Sequence, residues 1–245
     1  MSKILVISDA HGNLTSVQEI LISTEWDYLF FLGDAPDYGP NVKDVVDLLR
    51  NNVTEWVMGN HDNAVAFGVD CKCGEKTHEL SVYTRQNISL KQLNAKDISF
   101  LKKRPISKKV EIDGLRFFLV HAAPRDPLYG YLYPWLDEKN FIKMLKTEIG
   151  QQDPSDTQFI LLGHTHYQFQ KNILNYRIIN PGSAGQPRDG DPRVGFCVID
   201  TKTMNVTFQR IKYDVNKTIN SLKALNLDKQ ITDRLISILK NGKVE

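Results

Sequence analysis

"KILVISDAHGN", Lys3 to Asn13, sets the pattern of this chain: a short β-rich run that stops abruptly on Asp9, His11 and Asn13. Beyond it, Val17, Ile20 and Leu21 recur at helical spacing. The unit repeats outward. "YLFFLG" (Tyr28 to Gly33) precedes a second helical pattern at Val42, Val45, Val46 and Leu49, and "EWVMG" (Glu55 to Gly59) follows it. Strand–helix–strand order favours adjacent parallel strands. From about residue 108 the chain turns β-rich, through "KKVEID", "LRFFLVH", "TQFILLG", "YRIINPG", "VGFCVID" and "NVTFQRIKY", several joined by tight turns such as "EIDGLR". These six runs suit a second, mixed sheet. The expected fold class is α/β, with two facing mixed β-sheets flanked by helices, because that arrangement buries both sets of strands.

Further helices are expected from about Leu80 to Lys103 and from about Asp137 to Ile149. The tail reads as two amphipathic helices, with Val215, Ile219 and Leu222 on one apolar face and Ile231, Leu235 and Ile238 on the other. Asn226 and Asp228 are placed to end one and cap the next. We therefore expect a main domain over 1–213 and a C-terminal helical appendage over 214–245 packed on it, with a homodimer contact as the alternative use of those helices.

The chain has 245 residues, a net charge of +2, 41% hydrophobic and 24% charged residues, all ordinary for a globular protein. That charge gives no global case for nucleic-acid binding, and the local basic run "KKRPISKK" reads as a solvated connection. No apolar stretch approaches the roughly 20 residues of a membrane span. The N-terminus resembles an internal strand rather than a signal peptide, and three cysteines, an odd number, suit a reducing cytoplasm. "CKC", Cys71 to Cys73, reads as a surface loop, and His78 as a surface residue.

The strand ends carry the chemistry. After the first comes "SDAHGN", after the second "GDAPDYGP" with Asp34 and Asp37, and after the third "GNHD" with Asn60 and His61. Later strands add "VHAAP" with His121 and "FILLGHTHYQ" (Phe159 to Gln168) with His164 and His166; these two would share a face if extended geometry continued past Gly163. Each residue alone has a plainer role as cap, turn or core histidine. Together they bring carboxylates, an amide oxygen and several imidazoles to the rim where ligands collect in α/β sheets. Nitrogen and oxygen donors without cysteine suit Mn, Fe, Co, Ni or Zn. About seven donors are too many for one tetrahedral site and fit two metals sharing a carboxylate, an arrangement that activates water and neutralises the oxygens of phosphoryl displacement.

The order D-x-H, G-D-x-x-D, G-N-H-D, H, G-H-x-H resembles the calcineurin-like metallophosphoesterase superfamily. The segments "NPGSAGQPRDGDPR" and "HAAPRDPLYGYLYP" resemble its small prokaryotic phosphoesterase branch, over about Lys3 to Asp200. The resemblance implies the α/β/β/α sandwich. It implies that Asp9, His11, Asp34 and His166 hold one metal and that Asp34, Asn60, His121 and His164 hold the other. It gives His61 the leaving-group or transition-state role, with Asp37 orienting it. The activity implied is hydrolysis of phosphodiesters, and of monoesters too, by a metal-bound hydroxide, with two divalent ions, manganese foremost and Fe, Zn, Ni or Co as alternatives. The partner is then a small phosphorylated substrate such as a nucleotide.

Tyr38 stands where protein phosphatases carry a clamp arginine, and Asp62 where they carry glutamate. Both differences weaken protein phosphatase as an alternative; dinucleoside polyphosphate hydrolase is the nearer one, and a metal-stabilised binding protein the non-enzymatic one. Asn13, Arg188 and Arg193 are the candidate phosphate contacts, against plainer roles as helix cap (Asn13) and as partners of Asp189 or Asp191. The aromatic run "LYGYLYPW", Leu128 to Trp135, is a candidate platform for a nucleobase.

Overall fold

A computed structural model describes residues 1–148 and 151–244. In chain order the elements are β1 (Lys3–Ile7), α1 (Leu14–Ser23), β2 (Tyr28–Phe31), α2 (Val42–Asn52), β3 (Glu55–Trp56), α3 (Asn60–Phe67) and α4 (Glu75–Thr84). A π-helical turn (Arg85–Ser89) leads to α5 (Leu90–Gln92), α6 (Ala95–Lys102), β4 (Ser107–Ile112), β5 (Leu115–Val120) and α7 (Glu138–Leu145). Then come β6 (Phe159–Leu161), β7 (Gln168–Ile173), β8 (Tyr176–Pro181), β9 (Val194–Asp200), β10 (Val206–Ile211), α8 (Val215–Ala224) and α9 (Lys229–Asn241).

Two five-stranded mixed sheets form, in the orders β10-β9-β1-β2-β3 and β4-β5-β6-β8-β7. Strands β1, β2 and β3 are parallel, as are β5, β6 and β8. The last two β-runs do not join the second sheet as expected: β9 returns to pair antiparallel with β1, and β10 with β9. The reason is burial. Val194 to Val198 are buried on both faces, so β9 needs a covered strand beside it, which the open edge of β1 supplies.

Alternation along the strands builds the layers. Ile4, Val6, Phe30 and Leu32 point between the sheets, against Phe117, Leu119, Phe159 and Leu161 of the other sheet. Their neighbours Leu5, Ile7, Leu29 and Phe31 point outward, against Val17 and Ile20 of α1 and Val45 and Leu49 of α2. On the far side, Phe118, Val120 and Ile160 meet Phe141 and Leu145 of α7. Each such side chain contributes about 1.5–3 kcal/mol on burial.

Leu222, Ile231, Leu235 and Ile238 of α8 and α9 enter the same outer core as α1 and α2. Asp214 and Asp228 cap the two helices. The helix expected from Leu80 to Lys103 is broken into four pieces, with Asn94 capping α6 afresh. The helix expected to reach Ile149 ends at Leu145, and Ile149 lies outside the described residues. Among the described residues no helix is long and apolar enough to cross a membrane.

Candidate active site

The parallel strands of both sheets stop at one rim, and the chain leaves them through left-handed turns. Asp9 (φ 55°), His11 (43°), Asp34 (66°), His164 (65°) and His166 (62°) all have positive φ. Such a conformation costs roughly 1–2 kcal/mol for an ordinary L-residue, less for residues such as Asp with short polar side chains. Backbone bonds hold it, among them Asp9 N–H to Gly33 O at 3.0 Å and His11 N–H to Asp34 O at 3.1 Å. Extended geometry therefore does not continue past Gly163, and the two histidines of "GHTH" turn to different neighbours. His164 Nδ1 lies 3.1 Å from Asn60 Oδ1, whereas His166 Nε2 lies 3.3 Å from both His11 Nε2 and Asp9 Oδ1.

All seven expected donors, Asp9, His11, Asp34, Asn60, His121, His164 and His166, are buried and converge. Asp9, His11 and His166 form one group with donor atoms within 4.8 Å of one another, and Asp34, His121 and His164 form another. Asp34 lies between them: its Oδ2 is 3.2 Å from His121 Nε2 and 4.0 Å from His11 Nε2. The outer bonds leave the inner atoms free. His11, His121 and His166 each place Nδ1 on a backbone carbonyl, of Pro36 (2.9 Å), Leu32 (2.7 Å) and Gln186 (2.6 Å), which fixes the tautomer and turns Nε2 inward. Asn60 donates its amide to Cys71 O at 2.8 Å and so presents Oδ1.

Two buried atoms of this set, Asp9 Oδ1 and His164 Nε2, have no hydrogen-bond partner. Stranding such atoms costs about 1–3 kcal/mol each, and a divalent cation among these donors removes the penalty at Asp9 Oδ1, whereas His164 offers that cation the Nδ1 it turns to Asn60. Titration agrees. Burial, then the neighbouring His61, pulls His11 down to about 3, and burial drives His164 and His166 well below the usual imidazole range, so all three keep free lone pairs. Burial and Asp34 push Asp9 up to about 6 against the pull of His121. Burial opposes a charge on His121, but Asp34 overrides it and lifts the pKa to about 9.

Beside this centre His61 places Nδ1 on Asp37 Oδ2 at 2.8 Å and holds Nε2 3.9 Å from Asp34 Oδ2. What holds Asp37 is not visible in the sequence. Arg85, in the π-helical turn, donates Nε and Nη2 to the same Asp37 oxygen at 3.2 and 2.9 Å, Ser81 donates to it at 3.0 Å, and Ser89 donates to Oδ1 at 2.8 Å. The extra turn residue breaks the expected long helix where Arg85 reaches inward, as π-bulges do at functional sites. Asp62 has a structural part that the sequence does not show. Its carboxylate accepts the backbone N–H groups of Asp34, Ala35 and Gly59, all at 3.0 Å, and ties two ligand loops together.

The candidate substrate contacts separate. Asn13 is spent on structure: Oδ1 caps α1 and accepts Thr218 Oγ1 at 2.9 Å, and its amide donates to Gly185 O and Tyr213 Oη. Arg193 pairs with Asp191 at 2.7 Å and does not line the site. Arg188 does. Its guanidinium donates to Gln186 Oε1 at 2.7 and 3.2 Å, lies 5.4 Å from the Tyr38 ring centroid, and lines a cavity of about 500 Å³ together with His164. In the expected aromatic platform, Tyr131, Tyr133 and Trp135 stack on one another, at 5.5 and 4.8 Å between centroids, and so cover much of the face area a base would need. "CKC" is no plain surface loop, because Cys71 is fully buried behind Asn60. His78, by contrast, pairs with Asp70 near the surface.

The calcineurin-like phosphoesterase superfamily domain matches residues 2–204, and the chain belongs to that family of metal-dependent phosphoester hydrolases. It is 27% identical over 253 residues to the uncharacterized protein MJ0912 of Methanocaldococcus jannaschii, covering 96% of this chain and 97% of that one. It is 25% identical to a Mycoplasma pneumoniae protein described as a probable metallophosphoesterase, over 80% of this chain and 88% of that one. Among solved structures, a metallophosphoesterase from Sphaerobacter thermophilus superposes with TM-score 0.78 at 27% identity, covering 98% and 99% of the two chains. The hypothetical protein PH1004 from Pyrococcus horikoshii OT3 shares the fold, with TM-score 0.80 at 18% identity and full coverage of both chains.

Proposed function

We propose that the strand-end centre is a dinuclear hydrolase site acting on phosphodiesters at least as readily as monoesters. The observation that carries this is the stranded buried atom Asp9 Oδ1 among converging donors of which His11, His121, His166 and Asn60 already have their outer bonds made. In this reading Asp9, His11, Asp34 and His166 hold one cation, Asp34, Asn60, His121 and His164 hold the other, and manganese is the expected metal. Such a pair supplies an activated water and neutralises the attacking and leaving oxygens.

His61 then holds a proton at Nε2 for the departing alkoxide, because its Nδ1 is engaged by Asp37. Arg85 keeps Asp37 charged and in place. Arg188, with no carboxylate partner among the described residues, takes a phosphoryl oxygen. The catalytic body is 1–213 and α8–α9 form the appendage, which Thr218 fastens to the α1 cap through Asn13.

The test is to strip metal with chelator, restore Mn²⁺, and compare an aryl phosphodiester with its monoester in wild type, Asp34→Asn and His61→Ala. Metal-dependent diester turnover, lost with the metal in Asp34→Asn and lost despite bound metal in His61→Ala, supports the reading. Equal rates in all three proteins would sink it.

A further inference from the structure

The cavity of about 500 Å³ that opens beside His164 is walled by Arg188, Lys76 and Lys243, with Tyr131 and Tyr133 also lining it. None of the three cations makes an ion pair within 4.0 Å with a carboxylate among the described residues. Two acids share the wall, but Asp189 is already held by Arg210, leaving Glu75 as the one carboxylate there without a cation. Among the described residues the hydroxyls of Tyr131 and Tyr133 have no hydrogen-bond partner. Free ammonium groups and phenolic donors beside a phosphoester-hydrolysing centre are the chemistry that receives phosphate oxygens.

Lys243 is fixed there by backbone contact. The chain passes from α9 through Gly242 in the left-handed region (φ 62°), where an added Cβ would meet Asp191 C at 2.6 Å. Gly190 N–H donates to Gly242 O at 2.8 Å. The loop bearing Arg188 and the tail bearing Lys243 are thus fastened together, although Lys243 lies beyond the 2–204 match to the family.

We propose that this cavity is a second phosphate subsite, so that the substrate is an organic bisphosphate or polyphosphate: its scissile phosphoester lies at the strand-end centre and a further phosphate meets Lys76 and Lys243. The proposal rests on the strand-end centre being the hydrolytic site. The C-terminal appendage thereby contributes to substrate choice, and a volume of this size accepts a molecule as large as a nucleotide.

Calorimetry on the full chain loaded with Mn²⁺ tests it, with 1,6-hexanediol bisphosphate and hexyl monophosphate as probes, so that binding is read independently of turnover. The bisphosphate is expected to bind at least about tenfold tighter. In Lys76→Ala/Lys243→Ala, checked for an unchanged melting curve, that ratio falls to about threefold or less, and Lys76→Arg/Lys243→Arg restores it. Equal affinities in wild type, no measurable bisphosphate binding, or a ratio that survives the double alanine change would each overturn it. A wild-type preference that the double alanine change abolishes, in a protein that hydrolyses no phosphoester, would count against the hydrolytic reading alone.

Discussion

Arg85 Nη2 lies 2.9 Å from Asp37 Oδ2, the same oxygen that receives His61 Nδ1 at 2.8 Å. One carboxylate oxygen thus couples a buried cation in the π-helical turn to the imidazole facing the centre. Arg85→Met is therefore expected to lower kcat by about 10- to 100-fold, in the range seen when an outer partner of a functional histidine is lost. Bound metal, read by elemental analysis, should stay near the wild-type level. A variant with normal kcat would show that Asp37 orients His61 without help.

The backbone at Gly59 passes close against Asp34, and an added Cβ would stand 2.0 Å from Asp34 Oδ1. Gly59→Ala must displace either α3 or the Asp34 carboxylate. It should lose metal binding at least as severely as Asp34→Asn, measured by titrating Mn²⁺ into the stripped protein. Full metal loading in this variant would mean that the clash is relieved without disturbing the ligands.

Metal itself should stabilise the fold. The donors are buried in the folded chain and dispersed in the unfolded one, so bound cation contributes about 2.7 kcal/mol at a hundredfold excess over its Kd. Stripped protein is expected to melt several degrees lower, and Mn²⁺ should restore the loss in a concentration-dependent way, which calorimetry would follow. A melting point indifferent to metal would argue against Asp9 Oδ1 being a ligand.

Asp97 offers a stability test remote from the chemistry. Its carboxylate caps α6 by accepting Asn94 N–H at 3.1 Å and pairs with Arg50 at 2.8 Å. Burial disfavours its charge, but these partners more than offset that and hold its pKa below the usual carboxylate value. A depressed folded-state pKa contributes stability that is present above the unfolded-state value of about 3.9 and is lost as pH falls through the folded one. Asp97→Asn should therefore be destabilised by about 1–2 kcal/mol at pH 7, with the gap to wild type closing below about pH 4 in urea melts.

Much of this was legible in the sequence because it rests on local periodicity. The runs ending at Asp9, Asp34 and Asn60 show strand period followed by helix period, and their polar stops fall at the shared rim whatever the exact register. Sheet membership of β9 was not legible, because a strand buried on both faces carries no sign of which sheet owns it. Arg85 was hidden by a change of helical pitch. Asp62 acts through backbone N–H groups that the sequence does not locate. Asn13 and Arg193 were ambiguous for a related reason: an amide or a guanidinium serves a cap, an ion pair or a phosphate equally well, and only position decides.

The left-handed turns at Asp9, His11, Asp34, His164 and His166 limit how this protein can change over evolutionary time. Leucine, valine or isoleucine at these positions would impair the backbone as well as the donor set, since β-branched and bulky side chains resist positive φ. A descendant that gave up the chemistry but kept the scaffold is therefore expected to carry asparagine or glycine there. In such a lineage the former centre would remain readable as five permissive residues at unchanged spacing.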